Sequence, residues 1–127
     1  MKNNNLFFLL SILIVMMSCK KENDIAKIEF NKYVNFGTIK VGDTINEVFV
    51  IKNISSNILK INEIKTSCGC TIAKINDSIV NSKSSTNINV TFIAEKGDVG
   101  IIEKSIVLDT NTKPNFNVIY LKGKVIN

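Results

Sequence analysis

Cys68 and Cys70 are two thiols set one glycine apart, in the run Thr66-Ser67-Cys68-Gly69-Cys70-Thr71. A pair at that spacing has four chemistries open to it: a structural disulfide or buried thiol pair shaping a tight corner, redox exchange with a partner, soft-metal binding, or an intermolecular disulfide. A disulfide between residues i and i+2 closes a very small ring. Loop entropy therefore gives it only about 1–2 kcal/mol, less any strain. Gly69, having no Cβ, is expected to let the backbone bend enough to bring the sulfurs within reach. An easily reduced bridge would suit a redox role. Two thiolates could also hold a soft ion such as Cu(I), although two ligands make a poor site without a third.

The rest of the chemical inventory is thin. The sequence has no histidine, which removes the commonest general base, the Ser-His and Cys-His nucleophile pairs and the usual zinc ligand. Eleven acids remain, but no spaced pair is nominated for acid–base work. Glu47, Asp77, Glu95, Asp98, Glu103 and Asp109 read as solvated charge in turns or on strand faces. No glycine pattern suits phosphate. The expectation is a protein that is not an enzyme, with no cofactor and no small-molecule substrate.

All sixteen basic residues are lysine, and the formal charge is +5, or +4 once Lys2 is set aside with the leader. Bidentate recognition of phosphate or bases leans on arginine, and these lysines are spread along the chain, so nucleic acid is not an expected partner.

The third cysteine stands elsewhere. After Lys2, Leu6 to Met17 is almost unbroken apolar sequence, ending at Ser18-Cys19 before the polar run Lys20-Lys21-Glu22-Asn23-Asp24. A dozen apolar residues match the core of a secretory signal and are too short to span a bilayer comfortably. The junction resembles the lipobox of bacterial lipoproteins, although Met16 and Met17 make a loose version of it. The resemblance implies that Cys19 is lipidated and becomes the mature N-terminus. Diacylation and N-acylation, by palmitate-like chains, would anchor it firmly at about 0.8 kcal/mol per buried methylene. The expected organisation is a lipoprotein signal peptide over 1–18, a lipid-anchored tether over 19–26 and one domain over 27–127. The expected location is the cell envelope, on the inner or outer membrane, facing periplasm or exterior. With Cys19 acylated, Cys68 and Cys70 have only each other as intrachain partners, in a compartment that oxidises thiols.

The elements that must position the pair read as strands. Lys27 to Phe30 alternates, and Tyr33 to Ile39 follows. Ile45 to Ile54 has Phe49 and Ile51 on its core face, and Ile58 to Lys65 has Leu59, Ile61 and Ile64 inward. Thr71 to Ile75 leaves the cysteine corner, and polar turns follow at Asn76 to Ser78 and Asn81 to Ser85. Ile88, Val90 and Phe92 alternate with polar residues, the pattern of a sheet with one wet face. Ile102, Lys104, Ile106 and Leu108 share one face, with Lys104 expected near its exposed end. Val118 to Val125 closes the domain with Ile119 and Leu121 inward. About seven strands, β-branched and separated by regular turns, predict an all-β sandwich.

These residues also carry a family resemblance. Phe36-Gly37-Thr38-Ile39 with Gly42, Phe49-x-Ile51-x-Asn53, Ser67-Cys68-Gly69-Cys70-Thr71, Ile88-x-Val90-x-Phe92, Lys96-Gly97 with Gly100, and Leu121-Lys122-Gly123-Lys124-Val125 resemble the bacterial domain of unknown function 1573. The resemblance covers Lys27 to Val125 and implies an immunoglobulin-like sandwich of the ASH or MSP type after a signal sequence. One departure is Asn81-Ser82-Lys83, where the family usually has a Pro-Gly turn. The family implies no activity. The reading that results is a lipid-anchored envelope lipoprotein acting as a protein-binding or scaffolding module toward an unidentified envelope protein. Its partners would meet an edge strand or the loops around Cys68 to Thr71. The alternative is a thiol-dependent redox or copper-handling accessory acting through Cys68 and Cys70.

Overall fold

Alternation of apolar and polar residues makes one face of each longer strand a core face, and the described residues form nine strands. A computed structural model describes residues 24–127; the signal segment, Cys19 and the first tether residues lie outside the described residues. The strands are β1 (Ile28–Glu29), β2 (Tyr33–Lys40), β3 (Thr44–Asn53), β4 (Leu59–Thr66), β5 (Thr71–Ile75), β6 (Ile79–Val80), β7 (Ser85–Ile93), β8 (Gly100–Thr110) and β9 (Phe116–Ile126), with a single 3-10 turn at Lys96–Asp98. β1 falls in the alternating Lys27 to Phe30 run, and β6 is the strand that the sequence pattern does not mark. β6 falls inside a stretch that reads as polar turns; Val80 is buried there because Leu59 pairs with it.

The strands form two sheets, β1-β3-β7-β5 and β2-β9-β8-β4-β6. All pairings are antiparallel except β2 with β9. The core lies between them, with Phe49, Ile51, Ile88, Val90 and Phe92 from one sheet facing Leu59, Ile61, Ile106, Leu108, Ile119 and Leu121 from the other. This is an all-β, immunoglobulin-like sandwich. The inward apolar residues expected from alternation are the buried ones, Ile64 and Ile102 being partly so.

Two backbone features shape the edges. β2 changes register between Asn35 and Thr38, where Gly37 has φ +79°. A Cβ on Gly123 would collide with the Phe36 ring, so only glycine lets β9 pass beneath it. At the departure from the Pro-Gly turn, Lys83 has φ 60°, the left-handed region a glycine occupies without steric cost.

Packing begins within the stretch read as a tether. Ala26 is buried and donates its N–H to the Asn111 carbonyl, and the Asp24 carboxylate meets Lys60 at 2.6 Å.

Candidate functional site

β4 carries the chain away from the Asp24 end to Thr66. There it leaves the five-stranded sheet, turns through Ser67–Cys70 and enters the other sheet as β5. The cysteine pair is the corner between the two layers. Cys68 and Cys70 are joined by a disulfide with Cα atoms 5.4 Å apart.

The turn is held on both sides. Ser67 extends the β4–β8 ladder, donating its N–H to the Ser105 carbonyl (3.0 Å) and accepting the Ser105 N–H on Oγ (3.1 Å). The Thr66 hydroxyl and the Thr71 N–H both donate to the Cys68 carbonyl, and Ile93 donates its N–H to the Cys70 carbonyl. Thr71 is buried, and its hydroxyl lies 3.5 Å from Cys68 Sγ. Both cysteines are half-buried, and Cys70 packs against the core.

Gly69 is not the source of the bend expected of it. Its φ lies outside the left-handed region, and a Cβ built there meets nothing within 4 Å. The turn does not require glycine; the hydrogen bonds to Ser105 and Ile93 set its shape.

A disulfide sulfur is not a thiolate, so the pair in this form offers a metal no ligand. Among the described residues no group of three or more His, Cys, Asp or Glu is placed to hold an ion.

A buried charged pair stands where the sequence pattern suggests solvated charge. Asp98, read as solvated, and Lys104, read as near an exposed strand end, meet at 2.7 Å with side chains only 10 % and 15 % exposed. Asp98 also accepts the Glu95 N–H. The Lys104 hydrogen bond holds the Asp98 carboxyl below its ordinary value against an opposing desolvation. Lys104 Nζ lies 5.5 Å from the centroid of Phe92, a core ring. The signal was present: alternation puts Lys104 on the inward row with Ile102 and Ile106, where a cation needs a partner. Other ion pairs are exposed, including Glu63 with Lys65 and Glu103 with Lys122. A hydrogen bond to Glu103 raises Lys122 above its usual value.

Asn53 is a second buried polar centre. Its Nδ2 is shared among the carbonyls of Asn57, Val80 and Asn81, while Oδ1 accepts from the Ser55 N–H and hydroxyl. It ties the end of β3 to the β6 strand of the opposite sheet.

Among the described residues, two strand edges of the four-stranded sheet are open. β5 pairs only with β7, and β3 meets β1 only at Lys52 and Asn53.

The molecule so defined is an immunoglobulin-like sandwich whose layers are bridged at one corner by a disulfide turn. Within that class, the chain belongs to the family described as Protein of unknown function (DUF1573), which matches residues 27–125. Among solved structures it is similar to a protein of unknown function from Porphyromonas gingivalis W83, at 16% identity and TM-score 0.72, over 79% of this chain and 47% of that one. It is also similar to the ASH / PapD-like domain 7 of human CEP192, at 14% identity and TM-score 0.66, over 82% and 88%. A third likeness is to the secreted serine protease VesC of Vibrio cholerae, at 9% identity and TM-score 0.63, over 79% and 23%. The chain thus spans less than half of the first and under a quarter of the third. At these identities the likeness is one of fold. No curated protein matches the chain.

Proposed function

We propose that this chain is a non-enzymatic, protein-binding or scaffolding module of the bacterial cell envelope, anchored to the membrane through lipidated Cys19. The observation that carries the reading is the arrangement of the domain's two ends. The chain enters beside Lys60 and Asn111, where Asp24 docks. β4 then runs about 26 Å, at about 3.3 Å per residue, to the disulfide corner and the open β5 edge. Five residues from Cys19 to Asp24 reach at most about 18 Å, so an anchor at Cys19 would keep the entry end within that reach of the bilayer and leave the corner at the far end of β4. An open strand edge is a ready template for an added strand.

Mass spectrometry of the membrane-extracted protein tests the anchor, with acyl chains expected on Cys19 and release to the soluble fraction expected for Cys19→Ser. Crosslinking in intact envelopes tests the binding role. A reproducible partner is expected, retained when Cys68 and Cys70 are both replaced by Ser. Repeated recovery of nothing but the bait would remove the reading.

The second reading is thiol exchange, favoured by the Thr71 hydroxyl beside Cys68 Sγ. A partner thiolate would attack one sulfur, forming a mixed disulfide and releasing the other as a thiolate. A second partner thiol would then resolve it, leaving the partner oxidised and Cys68 and Cys70 reduced. Mixed disulfides in alkylated envelope samples would favour this reading; a fully oxidised, reduction-resistant pair would not.

A further inference from the structure

β3 has ten residues, and β1 pairs with two of them, which leaves the edge from Thr44 to Ile51 without a strand beside it among the described residues. Asn53 donates its N–H to Ser84 on the β7 side, and Ile54 donates to Lys27 on the β1 side. Since an antiparallel ladder alternates direction with each residue, Asn46, Val48 and Val50 turn their N–H and C=O groups to the open edge. No described residue bonds to them there.

The edge borders a groove. The chain leaves β1 at Phe30 and crosses to the other sheet as β2, opening a cavity of about 170 Å³ lined by Phe30, Asn31, Val34, Val48, Phe49 and Val50, together with the exposed Glu29 and Lys52. Val48 and Val50 are 53% and 45% exposed on the outer side, while half-buried Phe30 and Val34 form an apolar inner wall.

One charge marks the inner side. Glu47 lies on the inward row of β3 between Ile45 and Phe49, half-buried, and forms no ion pair among the described residues. A carboxylate there lacks the cation that partial burial calls for. It also opposes pairing with a second copy, since antiparallel association of two β3 edges brings two Glu47 side chains to the same seam.

We infer that the β3 edge binds an extended peptide by strand addition, continuing the line of β1, with apolar side chains against Phe30 and Val34 and one basic side chain against Glu47. This rests on the binding-module reading and gives it a site and a partner chemistry. The chain without Lys2 still carries +4, so its net field repels a basic peptide. A preference for lysine must come from the local carboxylate.

The probe is a blocked nonapeptide with four valines and a central lysine at odd positions and threonine at even ones, compared with the same peptide carrying central glutamate. The full-length protein in detergent micelles is followed by amide NMR. Slowed exchange at Asn46, Val48 and Val50 is expected, with the lysine peptide bound at least about tenfold more tightly. Glu47→Gln should erase that preference. Val50→Pro should abolish binding while leaving the β3–β7 ladder intact, because proline is tolerated where the N–H faces an open edge. Undiminished binding to Val50→Pro, protection on β5 at Ala73 and Ile75 instead, or no protection at all would overturn the inference. The first two results leave the binding-module reading standing; failure to crosslink any envelope partner is the separate result that removes it.

Discussion

Lys104 Nζ lies 2.7 Å from Asp98 Oδ1, and the pair fixes the 3-10 turn before β8 against the edge of the core. The turn is closed from both ends. Asp98 accepts the Glu95 N–H with one oxygen and the lysine with the other.

Removing one partner leaves the other buried without a counter-charge. Lys104→Met should therefore cost about 2–4 kcal/mol. Asp98 has a folded pKa held below its unfolded value near 4. Its contribution is complete above that unfolded value and is lost as pH falls through the folded one. Urea midpoints of the native protein and Lys104→Met should differ most at neutral pH and converge in acid. A gap that stays constant to pH 2 would exclude this origin.

Gly123 and Phe36 give a prediction of the opposite kind, an excess of atoms. A methyl on Gly123 would collide with the Phe36 ring, which lies 5.7 Å from the Phe92 ring, centroid to centroid. Gly123→Ala should cost about 1–3 kcal/mol by overpacking. Adding Phe36→Leu should recover part of that loss, so a double-mutant cycle by denaturant unfolding should show coupling well beyond additivity.

Asn53 should be intolerant of substitution. Asn53→Leu keeps the bulk but leaves the carbonyls of Val80 and Asn81 and the Ser55 N–H without their partner. Unpaired buried polar groups cost about 1–3 kcal/mol each, and a loss of about 3–4 kcal/mol in thermal or chemical unfolding is expected. Asn53→Asp should be nearly as harmful, since it removes both donors while keeping the acceptor.

How much of this could be read from the residues depends on the range of the interaction. The inward rows Phe49-Ile51, Ile88-Val90-Phe92 and Ile119-Leu121 were legible because alternation is local to a strand. The sandwich followed from them. β6 was not legible, because two residues carry no period and Val80 is buried only by its pairing with Leu59. Asp98 was misread for a related reason. Its sequence neighbours look like a solvated glycine loop, and the lysine that binds it enters from the following strand. At the cysteine corner the spacing identified the pair, but the glycine between them drew attention away from Ser105 and Ile93. Those partners stand 38 and 23 positions from Ser67 and Cys70, beyond any local pattern.

The corner itself should depend little on its disulfide. Ser67, Cys68 and Cys70 are fixed by backbone and hydroxyl hydrogen bonds that survive when the sulfurs are changed. Replacing both cysteines by Ser removes a ring so small that loop entropy assigns it only about 1–2 kcal/mol. The double variant should unfold cooperatively at a modestly lower urea midpoint with its β-sheet circular dichroism unchanged. Gly69→Ala should go the other way. The site has room for a Cβ and a φ that alanine accepts, so reduced freedom of the unfolded chain should raise stability by about 0.4–1 kcal/mol. A folded Gly69→Ala protein that fails to form the Cys68–Cys70 bond, seen as two alkylatable thiols by mass spectrometry, would return to glycine the role that the backbone partners hold here.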